Sequence, residues 1–125
     1  MKLIETLKDI FLTRGYEVMI SSPENSYLLL KRNGSLLAVG YCDPGHILTE
    51  GEVEMFISMA EDASSDSMLF ISPEKLRKDA KKALERGGVA MWDRMALAIA
   101  IGEQVLMKPD DSKEEEEPEF NPSSM

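Results

Sequence analysis

Among its 125 residues the chain has one cysteine, one histidine and one tryptophan. A lone Cys42 excludes an intrachain disulfide and fits a reducing compartment. A lone His46 excludes any multi-histidine metal site. No apolar run approaches the length of a membrane-spanning helix, and charges interrupt the first ten residues too often for a secretory leader. A cytoplasmic protein without a membrane segment is expected. No Gly-rich phosphate loop, CxxC pair or Ser/His/Asp arrangement occurs. Basic residues are also scarce, 14 against 23 acidic, for a net charge of −9. Residues 108–125 carry two basic and seven acidic residues, so the tail accounts for −5 and residues 1–107 for −4. Even without the tail this balance opposes an extended phosphate-binding surface.

What is present suffices for one folded domain at 43% hydrophobic content. Leu3, Ile4, Leu7, Ile10 and Phe11 recur at helical spacing, and Gly15 is placed to end that helix. Tyr16–Ile20 is β-prone and precedes a Ser-Ser-Pro-Glu-Asn turn. Two apolar strands follow, joined by Asn33-Gly34, the dipeptide suited to a type I′ turn. Leu36–Val39 shows no alternation, as a strand covered on both faces should. Asp43-Pro44-Gly45 breaks it.

Thr49-Glu50-Gly51-Glu52 reads as a capping box for a helix whose stripe is Val53, Phe56, Ile57 and Ala60. Ser67–Ile71 reads as a strand. Ser72-Pro73-Glu74 predicts the start of a helix with Leu76, Ala80, Ala83 and Leu84 inward, stopped by Gly87-Gly88. Val89–Trp92 reads as a short strand, and Asp93 as the cap of a last helix over Met95–Leu106. The expected class is α/β, bordering on α+β. Its order is αβββαβαβα, with a mixed sheet, an antiparallel three-strand meander and helices on both faces. Residues 1–107 form the domain. Residues 108–125, rich in Pro and Glu, are expected to be a disordered acidic tail.

The hairpin Tyr27–Cys42, the order of elements and Gly88-Val89-Ala90-Met91-Trp92-Asp93 before the last helix together resemble the restriction-endonuclease-like (PD-(D/E)XK) superfamily. The similarity is nearest to archaeal Holliday-junction-resolvase and type IV restriction-endonuclease-like domains. It implies a nuclease fold over roughly residues 1–106. In that family the hairpin carries an Asp on its first strand and acid-x-Lys on its second, which bind Mg²⁺ and activate water. Here Tyr27, Gly40 and Cys42 stand at those positions, and Asp43 lies one residue beyond. Tyr27 supplies no carboxylate, Gly40 no side chain, and Cys42 neither a hard ligand nor a positive charge. No catalytic residue, metal ligand or cofactor is therefore assigned. A displaced site would have to combine Glu5 or Glu17 with Asp43, a pairing that no spacing supports.

The resemblance thus implies a non-catalytic binding or assembly module, with nucleic-acid metabolism as the setting the family suggests, whose partner is another protein or a second copy of the chain. Two rivals stand beside it. One is a divergent metal-dependent DNA endonuclease. The other is a nucleic-acid-binding accessory protein using a Lys75–Arg86 helix through Lys75, Lys78, Lys81, Lys82 and Arg86. Glu74, Asp79 and Glu85 on that segment favour the plainer reading of a solvated, ion-paired face. Cys42 as a reactive thiol competes with Cys42 as a small core residue, which is the favoured reading. His46 reads as a loop residue and Asp93 as a helix cap. Met55, Met59, Met68, Met91 and Met95 read as core gap-fillers.

Overall fold

The computed structural model describes residues 3–107. The helix α1 (Leu3–Thr13) leads into strands β1 (Glu17–Ser22), β2 (Tyr27–Arg32) and β3 (Ser35–Tyr41). Helix α2 (Glu50–Asp62), β4 (Ser67–Ile71), α3 (Lys78–Arg86), β5 (Ala90–Trp92) and α4 (Arg94–Met107) complete the chain. The sheet runs β1-β2-β3-β4-β5, antiparallel within the meander and parallel from β3 onward. It is the mixed α/β arrangement and element order expected. The segment 108–125 expected to be a tail lies outside the described residues.

The β2–β3 turn takes positive φ at Asn33 (53°) and Gly34 (82°), as a type I′ turn requires. The short turn fixes a register in which Tyr27 faces Gly40 and Leu30 faces Leu37. The strand β1 extends through Ser21 and Ser22, which pair with Leu28 and Tyr27 rather than turning. The turn itself is a 3-10 segment at Pro23–Asn25. A register shift between Val18 and Ile20 marks a bulge on this edge strand.

Crossovers of fixed hand that step the same way along a sheet place their helices on one face. Accordingly α2 and α3 cover one side, and α1 and α4 the other. Tyr27, Leu29, Ala38, Cys42 and Phe70 pack with Val53, Phe56, Ala60 and Leu84. Leu28, Leu30, Val39 and Ile71 pack with Leu7, Ile10, Phe11 and Leu97. Residues 28, 30, 38 and 39 are fully buried, so the strand centres have no wet face. That explains why Leu36–Val39 does not alternate.

Both expected caps form. The Glu52 amide donates to the Thr49 hydroxyl at 3.2 Å, and the Thr49 amide donates to the Glu52 carboxylate at 3.0 Å. The Ala96 amide donates to Asp93 at 2.8 Å, so Asp93 caps α4. The expected start of the third helix is corrected. Ser72 is buried, its amide donates to the Trp92 carbonyl, and its hydroxyl donates to the Glu74 carbonyl at 2.8 Å. Thus it extends the sheet contact and ties a loop instead of capping a helix, and α3 begins at Lys78 behind an Arg77 cap with no side-chain bond. Lys75 therefore lies on a loop, not on the helix. Met55 and Met95 are also corrected: they are exposed, not core.

Removing one cap tests this local account. Thr49→Ala should lower the free energy of urea unfolding by about 1 kcal/mol, with Thr49→Ser close to neutral. Equal stability of all three proteins would show that the box contributes nothing.

Candidate functional site

Strand register brings together the three positions singled out on the hairpin. Tyr27 and Gly40 are cross-strand partners, and Cys42 follows two residues on, directed to the same side of the sheet. The space around them is filled by aromatic rings. A Cβ at residue 40 would lie 2.7 Å from Phe56 Cδ1 and 2.8 Å from two ring atoms of Phe70. Phe56 and Phe70 meet edge to face at 5.6 Å, and Tyr27 leans on Phe56 at 6.2 Å. No carboxylate fits at residue 40 without displacing two rings from two other elements.

The Tyr27 hydroxyl is buried with no hydrogen-bond partner among the described residues, and burial pushes its pKa up. Leaving such a group unpaired costs about 1–3 kcal/mol. Cys42 donates to the His46 carbonyl at 3.2 Å. Burial, followed by the fields of Glu52, Asp43 and Glu74, raises its thiol from 9 to about 11. It is a buried, protonated thiol, as the favoured reading of Cys42 held, and not a poised nucleophile.

Asp43 is exposed beyond the end of β3, on the rim of a cavity of about 490 Å³. Glu24, Ser26, His46, Glu52 and Met59 also line that cavity. His46 Nε2 lies 2.9 Å and 3.0 Å from the two Glu52 oxygens. Partial burial pushes the Glu52 carboxyl up, but hydrogen bonds from Thr49 and His46 outweigh it and hold the group below its ordinary value. His46 is thus a loop residue with a defined partner. Glu24, His46 and Glu52 were not legible as neighbours, because five segments contribute to this cavity and only the folded topology joins them.

No three His, Cys, Asp or Glu side chains among the described residues converge to hold a metal. The displaced pairing of Glu17 with Asp43 is corrected. Glu17 pairs with Lys31 at the turn end of the meander, whereas Asp43 leaves the opposite end. Glu5 on α1 approaches Lys8 at 3.9 Å and does not line the cavity.

The basic segment divides into two kinds of residue. Arg86 pairs with Glu50 at 3.0 Å, and Arg77 with Asp79 at 3.3 Å, as an ion-paired face would. Lys75, Lys78, Lys81 and Lys82 are exposed without an ion pair among the described residues. Lys75 also borders an apolar groove of about 680 Å³ along α4, where Met95 and Ile99 are 70% and 57% exposed. No protein-family model matches the chain, and no curated protein matches it. Among the described residues no helix is long and apolar enough to cross a membrane.

The raised thiol gives a pH test. Above pH 9 the unfolded chain releases the Cys42 proton while the folded chain keeps it. Stability should therefore fall as pH rises from 9 toward about 11, at up to about 1.4 kcal/mol per pH unit from this group. Buried Tyr27 and Tyr41, whose pKa values are also raised, add a loss in the same direction. Urea unfolding across that window, with Cys42→Ala to remove one group, should show a shallower decline in the variant. Identical slopes would place the thiol's titration outside folding.

Proposed function

We propose that this chain is a restriction-endonuclease-like protein without a catalytic centre, working as a binding or assembly module. The observation that carries the reading is the occupancy of the hairpin end. The positions that would hold Asp, acid and Lys are Tyr27, Gly40 and Cys42, and Phe56 and Phe70 fill the space an acid at residue 40 would need. The order of elements supports the fold assignment. An assembly role draws support from the α4 groove, because a helix that keeps large apolar side chains on its outer side offers a surface for another chain.

A nucleic-acid accessory role is the second reading, favoured by Lys78, Lys81 and Lys82 on α3, which make no ion pair among the described residues. Against it stands a net charge of −9, which repels a polyanion at long range.

One set of assays separates the three readings. The full chain with Mg²⁺ or Mn²⁺ should leave single- and double-stranded DNA intact. Metal-dependent cleavage abolished by Asp43→Ala or Glu5→Ala would overturn the proposal. Duplex binding at physiological salt should be weak or absent. Tight binding weakened by Lys78→Glu with Lys82→Glu would establish the second reading, with a log–log salt slope near −0.9 per phosphate contacted.

A further inference from the structure

We propose that the acidic run Glu114–Glu117 docks on the lysine face of α3 in the same chain and shields that face from other polyanions. The inference goes beyond the proposed function and does not depend on it.

Every arginine among the described residues is engaged. Arg14, Arg77, Arg86 and Arg94 contact carboxylates, and Arg32 stacks on Tyr16 at 4.4 Å. The lysines around α3 differ. Lys75, Lys78, Lys81 and Lys82 fall within eight positions, are exposed, and make no ion pair among the described residues. Ala80, Ala83 and Leu84 turn inward, which leaves Lys78, Lys81 and Lys82 together on the outer side. Like charges three and four residues apart repel one another. Glu85 shares that side one turn later, and Asp79 is taken by Arg77, so the outer side keeps a positive excess.

The segment of matching charge follows α4. Residues 108–125 lie outside the described residues and carry seven acidic and two basic residues, with four acids consecutive at Glu114–Glu117. The topology brings its attachment point to the right end of the sheet. Helix α3 ends at Arg86, next to the start of β5, where the Val89 amide donates to the Leu84 carbonyl. Helix α4 starts beside Pro73, past the other end of the parallel strands, and runs back until Glu103 meets Arg14. Arg14 shares a cavity wall with Ser67 and Ala90, the first residues of β4 and β5. The C-terminal ends of α3 and α4 therefore lie at one end of the sheet, on its two faces.

The way between them rounds β5, a three-residue edge strand. Passing from one helix layer to the other means roughly 20–25 Å, two helix diameters. The stretch from Lys108 to Glu114 reaches at most about 23–25 Å, and Glu117 lies further along. Other occupants must overcome long-range repulsion, because a duplex or a second copy approaches a chain of net charge −9. The acidic run is already attached, at an effective concentration on the order of millimolar. Exposed ion pairs are weak singly, and attachment lets several of them act together.

The test is paramagnetic broadening of amide signals in the full chain, with a nitroxide on Ser112→Cys beside the acidic run. Cys42 is buried, so the label goes to the new thiol alone. Broadening centred on Lys78–Arg86 is expected at low salt. It should vanish as salt rises from about 0.01 M to about 1 M, where the Debye length shrinks from about 30 Å to about 3 Å. Lys78→Glu with Lys82→Glu should weaken docking by roughly threefold to tenfold. Glu114–Glu117 all changed to Gln, which leaves the folded domain untouched, should do the same. A short DNA duplex that removes the broadening as it shifts the α3 amides would support a shared face. Broadening centred on Met95 and Ile99, or indifferent to salt and to both variants, would overturn the proposal. So would broadening of α3 in a chain without nitroxide mixed with a labelled one, since the run would then belong to a second copy. A duplex that binds α3 and leaves the broadening unchanged would equally contradict it.

Discussion

The contact of Phe56 and Phe70 with the bare backbone of Gly40 joins the middle of α2 to the C-terminal ends of β3 and β4. Because residue 40 has no Cβ, two rings approach a central strand more closely than any side chain would allow. Tyr27, its cross-strand partner, closes the packing from β2. The hairpin end consequently becomes part of the hydrophobic core. The interior is dry enough to strand the Tyr27 hydroxyl and keep the Cys42 thiol protonated. Geometry and electrostatics agree there: a region that disfavours a thiolate is a poor place for a hydrated cation and two carboxylates.

Charge lies at the rim of that end. Glu24, Asp43 and Glu52 line a cavity that Phe56 and Phe70 also border, and His46 is held against Glu52. The neighbouring surfaces are chemically separate. Helix α3 presents lysines without ion pairs among the described residues, while the outer side of α4 presents Met95 and Ile99. The cavity rim, α3 and the outer side of α4 thus present three chemically distinct surfaces. The α4 groove shares no lining residue with the cavity.

Much of the fold was legible because local signals agreed with global ones. Asn33-Gly34 determined the turn, Thr49 with Glu52 the start of α2, and Asp93 the start of α4. Unbroken apolar runs at residues 28–30 and 36–39 announced strands covered on both faces. Ser72-Pro73-Glu74 misled because the signature of a helix cap is local, whereas Ser72 is claimed by a sheet contact with Trp92. Met95 misled because helical periodicity does not reveal which side of the mostly apolar α4 the sheet will take, whereas Met55 stands off the stripe Val53, Phe56, Ile57 and Ala60, whose spacing already placed it outside. At the candidate site, the unusual residues at 27, 40 and 42 could be read from the hairpin alone. The rings that fill Gly40's space could not, since Phe56 and Phe70 arrive from 16 and 30 residues away. Nor could the cavity, whose carboxylates meet only after α2 folds back over the strand ends.

The most direct measurement is a double-mutant cycle on the Gly40 contact. Gly40→Ala alone should destabilise the protein by about 1–3 kcal/mol, the usual cost of overpacking. In the Phe70→Leu background the same change should cost measurably less, because one of the two clashing rings is gone. A Gly40→Ala protein as stable as the parent, or a Gly40→Glu protein that folds normally and binds Mg²⁺, would contradict the claim that aromatic packing has closed this site.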